Sequence, residues 1–408
     1  MEPLLAFFLA ILLVSLLTVK IGLSPFLSLV VSALFFGVLS GMGPELIDHV
    51  SEGLARIFSA LAIIVFAGSV IAEHLRRSRA VDRIVADLLL LVGRRRGILA
   101  SGISGYLVSL AAMCSMTSYI ILEPVVAGMG RECEGSERRF LFSAALFSVI
   151  SFNLVYPSPV MVTLTRSLGV APAEALKFGL PLSLLLFIPA FVCLGRLPIG
   201  VSESPAETGP LPSRLVSWAP LALPLLLILA GLLTPAAGML GSPDFALLAG
   251  ALFSAALAGE GREDMVKRAT RRAGIIIFDL CGAGAFGYVI AQGGLGPAIY
   301  ASFGPLIPAV ALPVLVASLI QLAQGSRVVT VVIAAEMMKG YPMEPVTLLF
   351  SISAGAFILS AVSDPYFWLV KETTNSGLRE TLAGYTLPLS VCGLLVFAAA
   401  ALRWLFLI

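Results

Sequence analysis

The chain has 408 residues, 59% of them hydrophobic and only 12% charged. A soluble domain is about a quarter charged, so this composition excludes one and indicates a polytopic α-helical membrane protein. The apolar runs are far longer than the roughly ten-residue alternating strands of a membrane barrel, which excludes that class too; the net charge of +2 says little about partners.

Residues 1–19 have the hydrophobicity of a signal peptide but no basic start or small-residue cleavage site, and read as a retained span. Further spans, each near the about 20 apolar residues a bilayer needs, are expected at 22–40 and 54–75. An Arg-rich loop follows, with Arg76, Arg77, Arg79, Arg83 and Arg94 to Arg96; its middle, VDRIVADLLLLVG, predicts an amphipathic helix on the membrane surface. Residues 97–130 are apolar but broken by CSMTS at 114–118, and 140–168 are broken by Asn153 and by Pro157, Ser158 and Pro159. A plain span at 174–195 leads to a linker at 197–214 rich in Pro, Ser and Glu. Spans at 215–234 and 243–259, a charged loop at 260–272 and a span at 273–292 come next. Residues 306–339 are broken by QGSR at 324–327, 347–370 are broken at Asp364, and the last span covers 381–406.

The order repeats. Gly68-Ser69-Val70-Ile71-Ala72 matches Gly287-Tyr288-Val289-Ile290-Ala291, Thr117 and Ser118 align with Ser326 and Arg327, and Pro157 aligns with Pro365. Repeats with interrupted helices in corresponding positions point to a secondary transporter. The chain therefore divides into an N-terminal repeat at 1–196, the linker, and a C-terminal repeat at 215–408 whose broken helix runs over 347–376. If 97–130 and 306–339 are re-entrant hairpins, both termini lie outside and most Lys and Arg lie inside, as topology rules expect. The two GxVIA helices then run in opposite directions, so the repeats are inverted.

The two hairpin tips and two unwound points converge on a polar site near the bilayer midplane. Helix ends there expose unpaired N–H groups suited to an anion. The candidate substrate contacts are Ser115, Thr117, Ser118, Asn153, Ser158, Gln324, Gly325, Ser326, Arg327, Ser363 and Asp364. Arg327 has the forked donors that suit a carboxylate, and pairing with Asp364 or snorkelling to the interface are its other uses. Asp364 reads as proton carrier, cation ligand or orienting partner of Arg327; an ionised residue at this depth costs about 2.5–3.5 kcal/mol and needs such a use. Glu123, Asp279 and Glu336 read as satisfied structural carboxylates, with a coupling site as the alternative for each. The GxGxxG at 282–287 lies inside a span, where small residues serve close helix packing rather than a dinucleotide. The five cysteines show no paired spacing and read as free thiols. No HExxH, GxSxG or Walker pattern appears, so no enzyme, cofactor, metal or nucleic-acid reading is supported.

Five stretches, IGLSPFLSLVVSALFFGVLSGM at 21–42, GSVIAEHLRRSRAVDRIVADL at 68–88, GAGAFGYVIAQGGLG at 282–296, LAQGSRVVTVVIAA at 322–335 and SDPYFWLVKE at 363–372, resemble the gluconate:proton symporter (Gnt permease) family of the ion transporter superfamily. The last two are the most specific; in the family they read close to AQGSATVA and NDSGFWLVKE. The resemblance implies proton-driven uptake of a small organic anion such as gluconate, in the cell inner membrane, by a homodimer with an elevator-like transport domain. Gln324, Gly325, Ser326, Asp364, Phe367, Trp368, Lys371 and Glu372 match the family motifs. Phe152, Ser158 and Ala361 stand where the family has His, Ser363 where it has Asn, Gln321 where it has Arg, and Arg327 where it has Ala. Cation-coupled antiport of the Na⁺/H⁺ type is the neighbouring expectation within the superfamily.

Overall fold

A computed structural model describes residues 2–93, 96–131, 133–134, 137–195, 200–201, 210–234, 238–361 and 363–407. Helix α1 (Pro3–Ser15) continues through a π-helical turn, and α2 (Pro25–Leu39) and α3 (Leu46–Arg77) follow. Helix α4 (Ala80–Val92) forms where an amphipathic helix was expected, with Leu90 and Leu91 exposed. Arg94 and Arg95 lie outside the described residues. A helical hairpin, α5 (Gly97–Ala112) and α6 (Ser115–Arg131), precedes the broken pair α7 (Glu137–Leu154) and α8 (Pro159–Leu168).

The span expected at 174–195 is two helices, α9 (Pro172–Leu185) and α10 (Phe187–Gly195), with Pro181 inside the first. Most of the linker 197–214 lies outside the described residues; 200–201 pair with 133–134 in a two-residue antiparallel bridge. Helices α11 (Arg214–Leu233) and α12 (Pro243–Leu257) lead to α13 (Arg262–Gln292). The charged stretch 260–272 is therefore largely helical, not a loop: its residues are good helix formers, and charge measures exposure rather than backbone conformation. Helix α14 (Leu295–Phe303) was not expected. A second hairpin, α15 (Ala311–Gln324) and α16 (Arg327–Met337), is followed by a second broken pair, α17 (Pro345–Gly355) and α18 (Pro365–Thr373). Here the unwound stretch begins at 356, earlier than expected. A short α19 (Leu378–Thr381) and a π-helical turn lead into α20 (Leu387–Leu407).

Several helices start by one local device: a capping side chain followed by Pro at the first helical position. Ser24, Ser158, Ser242, Glu344 and Asp364 each accept a hydrogen bond from the first-turn backbone, ahead of Pro25, Pro159, Pro243, Pro345 and Pro365. The proline ring presets the helical backbone angle and removes a donor that would be orphaned, while the cap satisfies another. This is how the chain restarts a helix inside an apolar region.

Six helices are long and apolar enough to cross a bilayer among the described residues. Helices α15 and α16 are about 21 and about 17 Å long at 1.5 Å per residue, too short to cross an about 30 Å core. The central contact is between α3 and α13. Gly53 and Gly284 face each other so closely that a Cβ on either would strike the other's backbone. Gly282 abuts the backbone of Phe26, and Gly287 abuts Ile333. The GxGxxG stretch thus serves helix packing.

Candidate functional site

A cavity of about 430 Å³ lies where both hairpin tips and both helix breaks meet. Met113, Cys114, Ser115 and Met116 come from the first tip, and Phe152 and Pro159 flank the first break. Gly325, Ser326 and Arg327 come from the second tip, and Ser363, Asp364, Pro365 and Tyr366 from the second break. The opposite wall is built by α1, α2, α3 and α13, with Ser15, Leu29, Val65, Ile276 and Asp279 among its residues.

The second tip is held by its own chain. Gly325 ends α15 with φ +80, a left-handed conformation that glycine adopts freely. A Cβ there would also strike the carbonyl of Ser363, so only glycine lets the tip meet the break. Gln321 clasps the turn: its Nε2 donates to Gly325 O at 2.8 Å, and its Oε1 accepts from Thr330 Oγ1 at 2.8 Å.

Arg327 points from this tip into a fully buried network. Its Nη1 lies 3.1 Å from Asp364 Oδ2, and its Nη2 donates to Ser360 Oγ at 2.7 Å and to Tyr385 OH at 3.0 Å. Asp364 Oδ2 also accepts from Ser360 Oγ, while Oδ1 accepts the Tyr366 amide at 2.8 Å and so caps α18. Tyr366 is anchored in turn by Ser148 at 2.8 Å. Arg327 Nε is buried with no hydrogen-bond partner among the described residues. Of the readings open from the sequence, pairing with Asp364 is the one adopted here; snorkelling to the interface is not. Arg327 still borders the cavity, so an entering carboxylate can compete with Asp364 for it.

Ser115, Gly325, Ser326, Arg327, Ser363 and Asp364 are thus gathered around one space. Thr117, Ser118, Asn153 and Ser158 are buried but do not line it. Ser118 Oγ donates to Ser115 O at 2.8 Å, and Ser158 Oγ accepts from the Met161 amide at 3.2 Å; both satisfy freed backbone rather than face the cavity. Asn153 lies within the last turn of α7, and neither atom of its amide has a partner among the described residues. The side chain of Gln324 lies outside what is described. Sequence reasoning missed Tyr385, Gln321 and Thr330 as structural members of the site and set Asp279 aside. Tyr385 is 58 positions from Arg327, and no local signal joins them.

Residues 2–405 match the profile described as GntP family permease. The low-affinity gluconate transporter of Escherichia coli (strain K12) is 25% identical over 94% of each chain. The D-serine transporter DsdX of the same strain is 24% identical over 96% of each. Among solved structures, the YdaH transporter of Alcanivorax borkumensis is 16% identical and covers 88% of each chain at a TM-score of 0.61, a likeness of fold alone. With its whole length matched, this chain belongs to the GntP permease family.

Proposed function

We propose that the protein is a secondary active transporter carrying a small organic anion, gluconate or a related hydroxy acid, together with a proton. One observation carries this reading: a cavity of about 430 Å³ at the meeting of two hairpin tips and two helix breaks, with Arg327 in its wall. That volume falls in the range of about 300–1,000 Å³ typical of small-ligand sites. The names of the relatives supply the substrate class, since gluconate and D-serine each combine a carboxylate with a hydroxyl. Asp364 holds Arg327 until the substrate carboxylate displaces it, and the hydroxyls of Ser115, Ser326 and Ser363 meet the substrate's own.

On this reading the two halves, 1–196 and 215–408, are inverted repeats joined by the linker at 197–214. The hairpins and broken helices form a transport domain that moves, elevator-like, against a scaffold built on α3 and α13. The assembly is a homodimer in the cell inner membrane with both termini outside. The glycine-packed α3–α13 crossing supports the scaffold assignment, because so close a contact resists sliding. A second reading, cation exchange, draws on the fact that Arg327 is already paired; it requires flux without any organic substrate.

The test is a thermal-shift screen of purified protein with sugar acids, short hydroxy acids and D-serine, with and without Na⁺, at two pH values. A ligand at a hundredfold excess over Kd raises stability by about 2.7 kcal/mol. Stabilisation by one acid, lost in Arg327→Ala, supports the anion reading. Response to Na⁺ or pH alone supports cation exchange instead.

A further inference from the structure

The charges around the cavity do not cancel. Its charged lining residues are Asp279, Arg327 and Asp364. Arg327 and Asp364 meet at 3.1 Å and neutralise each other. Asp279, on α13, accepts one hydrogen bond, from the Phe26 amide to Oδ1 at 3.2 Å; among the described residues its Oδ2 has no hydrogen-bond partner.

The elements packed on α13 offer it no unpaired cation. Helix α2 has no ionisable side chain. On α3, the Gly53–Gly284 and Arg77–Gly261 contacts bracket the facing stretch; Arg56, the cation nearest the register of Asp279, pairs with Glu52 at 2.8 Å and lies over the ring of Tyr288, and 57–72 has no ionisable side chain. Helix α16 brings Arg327, already paired, and Glu336, held by Lys339 at 2.6 Å. Helix α12 brings Asp244, held by Arg166 at 2.8 Å, and α14 only Tyr300. On α13 itself the neighbours in sequence are the neutral thiol Cys281, two positions later, Arg272, seven earlier, and Tyr288, nine later, and Lys20 lies beyond the end of α1. Facing the cavity, then, Asp279 stands as an uncompensated negative charge.

We propose that Asp279 is the coupling carboxylate: fixed near the middle of α13, it takes a proton from the side to which the loaded cavity is open, and returns it to the other side once the transport domain has moved and the anion leaves. This rests on the anion-transport reading above and names the residue that makes transport proton-linked. A sphere of 430 Å³ is about 9 Å across, so an anion inside lies within roughly that distance of Asp279. At an effective permittivity near 20, like charges so placed weaken binding by about twentyfold, more at closer approach. Protonating Asp279 removes that repulsion and leaves the Phe26 hydrogen bond in place. Asp364 is the poorer carrier, because protonating it would cancel the charge that balances the buried Arg327.

The experiment uses full-length protein in proteoliposomes with labelled D-gluconate and D-serine as probes. In the wild type, gluconate accumulates under an inward proton gradient, a pH-indicator dye reports proton uptake on binding, and Kd rises about tenfold per pH unit on the alkaline side. Asp279→Asn keeps an oxygen for the Phe26 amide, so gluconate counterflow persists while gradient-driven accumulation and the pH dependence of Kd are lost. Asp279→Glu, which still titrates, retains both. An Asp279→Asn protein that concentrates gluconate with the wild-type pH slope overturns the proposal and leaves Asp279 as a cap for α2. So does an Asp279→Asn protein that loses D-serine binding alone, which makes the carboxylate a reader of the substrate ammonium. Should Asp279→Asn not fold, Asp279→Glu decides: it should still couple but with a displaced pH profile of dye-reported proton uptake, and a profile identical to the wild type's would equally overturn the proposal. Wild-type protein that binds neither probe sinks the transport reading itself, a result distinct from normal wild-type coupling with an indifferent variant.

Discussion

Replacing Arg327 by methionine tests whether one buried ion pair joins the second hairpin to the second broken helix. The side chains of Arg327 and Asp364 are 4% and 3% exposed. At their 3.1 Å separation and an effective permittivity near 20, the attraction is about 5 kcal/mol. Removing the guanidinium leaves a buried carboxylate, and breaking such pairs typically costs about 3–5 kcal/mol. A proton limits the loss. An ordinary aspartic acid takes one at pH 7 for about 4 kcal/mol and at pH 5 for about 1.5 kcal/mol. Arg327→Met is therefore expected to lose about 3–4 kcal/mol at pH 7 and about 1–2 at pH 5. Adding Asp364→Asn removes the bared charge, so the double variant recovers most of the loss and its deficit does not vary with pH. Reversible unfolding in mixed micelles, measured for the single and double variants at both pH values, reads these differences. A loss below about 1 kcal/mol at pH 7, or one that does not change with pH, would refute the argument.

Gly284→Val places a side chain against Gly53 and Ile57, and overpacking of this kind costs about 1–3 kcal/mol; the same unfolding measurement should show it, with the α3–α13 contact loosened. Glu344 caps α17 and meets Arg403 at 3.1 Å; burial alone would push its carboxyl up, but the hydrogen bonds from Arg403, Thr347 and the Val346 amide outweigh it and hold the group at about 2. Its folded value lies below the unfolded one, so its contribution is complete above about pH 4.5 and fades as pH falls towards 2; after allowance for solvent screening Glu344→Gln is expected to cost about 1–2 kcal/mol at pH 7, and its Tm should converge on the wild type only as pH falls to about 2. Ser158→Ala removes a helix cap and should cost about 1 kcal/mol while leaving gluconate Kd within about twofold, because Ser158 does not line the cavity. In a variant keeping Cys114 alone, a small thiol reagent should label the cavity wall, and bound gluconate should slow labelling; a rate unaffected by saturating ligand would place the ligand elsewhere.

The hairpins and breaks were readable because their causes are local. Proline, a capping side chain and a left-handed glycine act within a few residues, so PSP at 157–159, QGS at 324–326 and SDP at 363–365 announce themselves. The unwinding from 356 was not readable, since AFILSA is apolar and contains no breaker. Its freed backbone is satisfied from the last helical segment: Ser390 Oγ accepts the Leu359 amide, and Thr386 Oγ1 donates to Ser360 O. Those partners lie about 30 positions away, beyond the reach of pattern reasoning. Asp279 shows the same limit from the other side. IIIFDL identifies a span but not which of its residues faces a cavity, and that face is set by the Gly53–Gly284 crossing. Thr117 and Ser118 were chosen for their chemistry, yet a hairpin tip exposes only its turn, and the next helical turn faces inward.

The length of α3 bears on the membrane itself. The helix is about 48 Å long, well beyond an about 30 Å hydrocarbon core, yet its stretch without ionisable side chains, 57–72, covers only about 24 Å. Arg56 bounds that stretch at one end, and Glu73, tied to Arg76 at 2.5 Å, bounds it at the other. A bilayer of ordinary thickness must thin around this helix, or the flanking charges must reach past its edge. Lipid chain length is therefore expected to affect the protein's activity. Shorter acyl chains should match α3 with the least distortion, and reconstituted activity should peak in a bilayer thinner than average.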